Sequence, residues 1–236
     1  MKTDDMLISP LASSRRRSEE KILIAYISLG YPAALRDHME NKISGIKENA
    51  IRRLTQISLT QAKYEGSALI TRACRAASVA GVSPDVIQSL SDTYLREYDS
   101  MTDPAVLWDI TQKMLLRFCE AVNEVNLEPF TGAVRQCCEY IHANLRSCVS
   151  LDELGQVCHL SPHYVSDIFR KELGIGALQY AHQVKMQYAK FLLEYSDVGI
   201  AEISSALSYP SHSNFSQRFK KVYGITPHEF RLTCGR

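Results

Sequence analysis

No run of apolar residues in this 236-residue chain is long enough to span a membrane. Arg15, Arg16 and Arg17 stand ahead of a short apolar run, Ile22–Gly30, in the manner of a secretory signal. Glu19, Glu20 and Lys21 interrupt that pattern and no small-residue cleavage site follows, so a helix is the better reading. The sequence has no glycine-rich phosphate loop, no HExxH and no GxSxG, which removes the usual nucleotide, zinc-protease and serine-hydrolase signatures. It has no CxxC among its seven cysteines, so neither a zinc ribbon nor a thioredoxin-like pair is indicated. Nothing marks a thiol of lowered pKa, and the cysteines read as reduced, mostly buried groups of a cytosolic protein. Cys138, His142 and Cys148 form the one trio with a conceivable metal spacing, and its ligands are too far apart for a usual structural zinc site. No cofactor and no metal are expected. Strand-like alternation is missing throughout. A formal net charge of +1 gives no global basic field, although a local basic face suffices for a nucleic acid partner.

What is present is helical punctuation. Residues 1–17 read as a flexible N-terminus, and residues 18–128 as a bundle of five or six helices. Ser18 is placed to cap a helix over Glu19–Leu29, with the next running from Pro32 to about Ile43. A long apolar pattern follows from Glu48 to Ala77, with Gly66 as a break or kink. Ser83-Pro84 and Asp103-Pro104 start two more helices. The first carries Val86, Ile87, Leu90, Tyr94, Leu95 and Tyr98 on its apolar side. Asn126–Pro129 marks a domain boundary, and residues 129–236 form the second domain.

That second domain contains a repeat. Ser150-Leu151-Asp152-Glu153 and Thr226-Pro227-His228-Glu229 are capping boxes. Leu151–Gly174 and Ile200–Gly224 each read as helix, turn, helix. Val165 and Phe169 match Phe215 and Phe219 as core anchors, and Gly174 matches Gly224 as the stop. His159 and Ser208 fall where the turn needs positive φ. Between the units lies a long helix, Ala177–Tyr195, with Leu178, Ala181, Val184, Tyr188, Phe191 and Leu192 as its apolar side. Such a helix is on the scale of one DNA turn, ~34 Å. Ser216, Gln217, Arg218, Lys220 and Lys221 face outward between and after the second pair of anchors.

Residues 131–236 resemble the DNA-binding domain of the AraC/XylS family of bacterial transcription regulators. The matching residues include Leu154, Ser161, Tyr164, Phe169 and Gly174, then Ala189, Leu192 and Leu193, then Ile200, Glu202, Ile203, Phe215, Phe219, Gly224, Thr226 and Pro227. The resemblance implies seven helices and two recognition helices that enter adjacent major-groove segments. It assigns His163, Ser166, Asp167 and Arg170 to the DNA face of the first unit. In the second it assigns His212, Ser213, Asn214 and Gln217 to base contacts, and Arg218, Lys220 and Lys221 to phosphates. The chain departs from the family in having Gly155 and Ser204 for alanine, Ser208 for glycine and Lys185 for arginine. Asp167 places an acid where basic or base-contacting residues are common. The helical N-terminal half differs from the β-rich sugar-sensing domain of many members, so no sugar ligand is carried over. Leu69–Leu95 is similar to helical regions that precede this domain in some Gram-positive regulators.

The expectation is therefore an all-α, cytoplasmic, non-enzymatic bacterial transcription regulator, more an activator than a repressor. Its partners are double-stranded DNA, RNA polymerase and a second copy of the chain through the N-terminal domain, with an unidentified effector. The family includes a DNA-repair methyl acceptor, but its clustered cysteine site has no counterpart here. The competing reading is a helical interaction or dimerisation module with weak or vestigial DNA binding.

Overall fold

A computed structural model of the protein describes residues 10–40, 46–54 and 56–234. Among them are thirteen α-helices, one 3-10 turn and no strand. Six helices form the N-terminal half: α1 (Pro10–Leu29), α2 (Pro32–Glu40), α3 (Ile46–Leu54), α4 (Leu59–Val79), α5 (Pro84–Ser100) and α6 (Leu107–Leu127). Seven form the C-terminal half: α7 (Gly132–Ala143), α8 (Leu151–Cys158), α9 (Pro162–Leu173), α10 (Ala177–Tyr195), α11 (Ile200–Ala206), α12 (His212–Tyr223) and α13 (Pro227–Thr233). The all-α architecture is the expected one.

Helix α6 is the axis of the bundle. Its buried residues Leu107, Ile110, Met114, Leu115, Phe118 and Val122 recur at three- and four-residue intervals and make one apolar stripe. α1, α2, α3, α4 and α5 all pack against it. Several N-terminal boundaries differ from expectation. α1 reaches back to Pro10, so Ser18 lies inside it and residues 10–17 are helical rather than a flexible lead. The pattern expected to run on from Glu48 is two helices. The chain turns after Leu54, and the Ser58 hydroxyl accepts from Gln61 N to start α4. Gly66 neither breaks nor kinks α4. The Tyr98 ring packs there, and an added Cβ would lie 2.8 Å from it. The helix opened by Asp103-Pro104 begins with a 3-10 turn, where the Asp103 carboxylate accepts from Ala105 N. On α5, Tyr94 and Tyr98 are buried, while Val86 and Leu95 face solvent. The expected end at Ile43 lies outside the described residues.

The two halves share one continuous buried core rather than meeting at a wet boundary. α1 lies along α10, and α2 along α7. Tyr26 of α1 and Tyr188 of α10 are buried, and their hydroxyls are 3.0 Å apart. The Tyr26 ring also lies 4.6 Å from that of Phe191. The Tyr31 hydroxyl donates to Gln187 Oε1 at 2.9 Å. Arg146, after α7, faces Asp37 of α2 at 4.0 Å.

His142 sits within this junction. One ring nitrogen is 3.2 Å from Asn123 Oδ1 and the other 2.9 Å from the Tyr180 hydroxyl. Burial pushes its pKa down to about 4, because the imidazolium would lose its hydration. The unfolded chain binds the proton at an ordinary histidine pKa near 6.5. The folded pKa is the lower one, so the contribution to stability is complete above the unfolded value. It is lost as pH falls from about 6.5 toward about 4. Taking the protein from pH 7 to pH 5 should cost about 2 kcal/mol at this residue alone. His38, also pushed down to about 4 by burial, acts in the same direction. Chemical denaturation across this range should show the loss, and His142→Gln should flatten the slope. An unchanged slope would remove His142 from the account.

Candidate nucleic-acid interface

Two similar helix pairs, α8–α9 and α11–α12, both pack against α10. Each starts and stops by local chemistry. Ser150 and Glu153 exchange side-chain and backbone bonds in a capping box that opens α8. Ser161 caps α9 by accepting from Tyr164 N, with Pro162 as its first residue. Ser211 caps α12 by accepting from Asn214 N. Gly174 and Gly224 end α9 and α12 in the left-handed conformation, at φ 71° and 79°. Between the paired helices, His159 and Ser208 take φ of 56° and 58°, a region that larger side chains rarely adopt. At Gly155 the turn folds back so tightly that an added Cβ would lie 2.6 Å from the Leu160 carbonyl oxygen. Ser204, the matching residue, is buried.

The anchors hold each pair on the linker helix. Val165 and Phe169 of α9 are fully buried, as are Phe215 and Phe219 of α12. Phe169 lies 6.0 Å from the Tyr180 ring of α10. Phe219 packs with Tyr223 and Phe230 at 4.7 and 5.8 Å. The Lys190 ammonium of α10 lies over those two rings, at 5.4 and 5.7 Å. Lys185 is buried, donates to the Leu207 carbonyl oxygen at 2.9 Å and lies 5.9 Å from the centre of the Tyr209 ring. Desolvation lowers its pKa. The lysine thus ties α10 to Leu207, the residue that follows α11, a role that needs a donor and a long stem. The Ser208 hydroxyl donates to the Arg146 carbonyl, which joins the turn of the second pair to the segment after α7. Leu178, expected on the apolar side of α10, is exposed. It lines a cleft of about 540 Å³ between α10 and the second pair, with Arg218 and Asn214 on the opposite wall.

The predicted contact residues lie on the open faces. On α9, His163, Asp167 and Arg170 are exposed and Ser166 is half-buried. His163 Nε2 lies 3.5 Å from Asp167 Oδ2, so the acid of this face has a local partner when the histidine is protonated. On α12, His212, Ser213, Gln217, Arg218, Lys220 and Lys221 are exposed. Asn214 is half-buried, and its Oδ1 accepts from Arg218 Nε at 3.2 Å. That bond engages the amide oxygen and leaves the Nδ2 group as the remaining donor. Lys220 and Lys221 close the last turn of α12, where the helix dipole favours cations. The second helices of the two pairs, α9 and α12, are in register fifty residues apart, from Ser161 with Ser211 to Gly174 with Gly224. That register adds two residues that sequence reasoning missed. Lys171 stands where Lys221 does, and Tyr164 where Asn214 does, and both are exposed. It also sets Asp167 opposite Gln217, so the first face carries an acid where the second carries an amide.

The metal trio is not assembled. Cys138 is buried, His142 lies between Asn123 and Tyr180, and the Cys148 thiol faces the Ser208 carbonyl. No group of three metal-ligating side chains occurs among the described residues, and no described helix is long and apolar enough to cross a membrane.

Residues 154–233 match the family described as a helix-turn-helix domain. Over 127 residues the chain is 34% identical to the arabinose operon regulatory protein of Escherichia coli K12, covering 53% of this chain and 44% of that one. It is 37% identical over 91 residues to YtdP, an uncharacterised HTH-type transcriptional regulator of Bacillus subtilis, covering 39% of this chain and 12% of the other. The C-terminal domain of AraT, a response regulator from Geobacillus stearothermophilus, is 29% identical, with a TM-score of 0.42 over 44% of this chain and 86% of that one. The chain spans less than half the length of these two curated relatives.

Proposed function

We propose that this chain, whose residues 154–233 form an AraC-type helix-turn-helix domain, is a sequence-specific DNA-binding transcription regulator. One observation carries the reading. Two like-built helix pairs are fixed to a single 19-residue helix, and each turns a polar recognition face outward. At ~1.5 Å per residue that helix is roughly 28 Å long, close to the ~34 Å between successive major-groove segments on one side of DNA. His163, Ser166, Asp167 and Arg170 form the first contact face. His212, Ser213, Asn214 and Gln217 read bases in the second, and Arg218, Lys220 and Lys221 meet phosphates. The helical N-terminal half is its regulatory part, and RNA polymerase and a second copy of the chain are the further partners. The protein acts by binding, as an activator and without catalysis.

Selection of bound fragments from genomic DNA, followed by titration across salt, tests this. A preferred site should emerge, with affinity falling steeply as salt rises. Gln217→Ala should relax discrimination at one or two positions of that site, at about 1–3 kcal/mol. Lys220→Ala should weaken binding to all sequences alike and reduce the salt slope by roughly one. Absence of any preferred site would leave the reading without support. A uniform loss from Gln217→Ala would remove its base-reading role.

A further inference from the structure

Seven thiols and no disulfide are present, but two of the sulfurs touch. Cys137, in the middle of α7, and Cys158, the last residue of α8, have their Sγ atoms 3.0 Å apart although 21 residues separate them in sequence. A covalent S–S bond is ~2.05 Å, so a shift of about 1 Å in side chains already facing each other would close it. The two sulfurs differ in access. Cys137 is fully buried, and burial pushes its thiol pKa up. Cys158 is half-buried at the helix end, beside the left-handed turn at His159, and its thiol donates to the Leu154 carbonyl oxygen at 2.7 Å. Cys158 is therefore the more accessible residue of the pair and Cys137 the enclosed one, which is the arrangement of an attacking and a resolving cysteine. Among the described residues no other two cysteine sulfurs are in contact.

We infer that Cys137 and Cys158 form an oxidative modification site that takes a peroxide as oxidant. The Cys158 thiolate attacks one peroxide oxygen and the O–O bond breaks. The sulfur becomes a sulfenic acid, and hydroxide leaves. The Cys137 sulfur then attacks the Cys158 sulfur. An S–S bond forms, the S–O bond breaks, and the departing hydroxyl takes the Cys137 proton and leaves as water. The net change is two thiols oxidised and one peroxide reduced to two waters. A small dithiol reverses it by thiol–disulfide exchange. The bond clips α8, the first helix of the first recognition pair, to α7, which packs on α2, α9 and α10. The inference stands on sulfur geometry alone and does not depend on DNA binding.

The test is peptide mapping of the folded full-length chain after limited hydrogen peroxide. Cys137 and Cys158 should be recovered as one cross-linked peptide lacking two hydrogens and reverting with dithiothreitol. Exposed Cys148 serves as the internal comparator. In Cys158→Ser the cross-link should vanish. In Cys137→Ser, Cys158 should be trapped by dimedone as a sulfenic acid. Closure in place should raise the melting temperature of the oxidised protein by several degrees, because the bond constrains the unfolded chain. Oxidation of Cys148 with Cys158 still reduced, pairing with another cysteine, a cross-link formed only in urea, or a lowered melting temperature would each overturn the inference.

Discussion

Replacing Phe219 with alanine should cost about 4 kcal/mol of stability and abolish the DNA binding proposed for α12. The ring is fully buried, and Phe215, Tyr223 and Phe230 surround it at 6.0, 4.7 and 5.8 Å. Truncation removes the transfer energy of the ring and leaves a cavity among aromatic groups that cannot collapse without moving α12 or α13. The Lys190 ammonium would remain over Tyr223 and Phe230 but lose their common support. Whole-domain stabilities are only ~5–15 kcal/mol, so the loss is a large share of the total. Denaturant titration should show it as a lower midpoint. Phe219→Leu, which keeps most of the volume, should recover more than half. A loss below about 1 kcal/mol in the alanine variant would mean that α12 is not held by this cluster.

Tyr26→Ala should be nearly as costly, at about 3–5 kcal/mol, but with a different signature. Tyr26 is buried against Phe191, His38 and Tyr188, at 4.6, 5.0 and 6.2 Å between ring centres. These neighbours come from both halves of the chain. Removing the ring takes out the piece they share, so unfolding should split into two transitions where the native protein shows one. Tyr26→Phe keeps the ring and loses only the hydroxyl contact with Tyr188, and should cost about 1 kcal/mol with one transition retained. Calorimetry distinguishes the cases. A single transition in the alanine variant would show that the halves are coupled elsewhere, through Tyr31 and Gln187 or through Asp37 and Arg146.

The parts of the molecule legible in the sequence are those decided within a few residues. Ser150 with Glu153, Ser161 with Pro162, and Gly174 and Gly224 after their helices all act locally, and each stands where it was expected. The positive φ of His159 and Ser208 was readable because a fifty-residue repeat placed both at a turn. Contacts between distant elements were not readable. The apolar run in α1 and the apolar side of α10 are both visible, yet nothing in either says that Tyr26 meets Tyr188 across 162 positions. Lys185 stood out only as a departure from arginine, and its partner, the Leu207 carbonyl, emerges from the fold. Leu178 counted as apolar by period, but it lies in the first turn of α10, where the helix borders an open cleft. At the contact faces, the spacing of Phe215 and Phe219 identified the outward residues of α12. It did not reveal that Asn214 and Arg218 hold each other, or that register adds Lys171.

The tyrosine seam between α1 and α10 also bears on how this protein can be taken apart or recombined. The chain invites a cut at Asn126–Pro129, where proline and polar residues mark a border, and a graft made there would look clean on paper. It would strip α1 from the back of α10 and leave Tyr188 and Phe191 bare to water on the helix that carries both recognition pairs. A transplanted C-terminal half would then need its new companion to supply an aromatic ridge of the same shape. The unit that can be exchanged intact is larger than the one that the linker delimits: it includes α1.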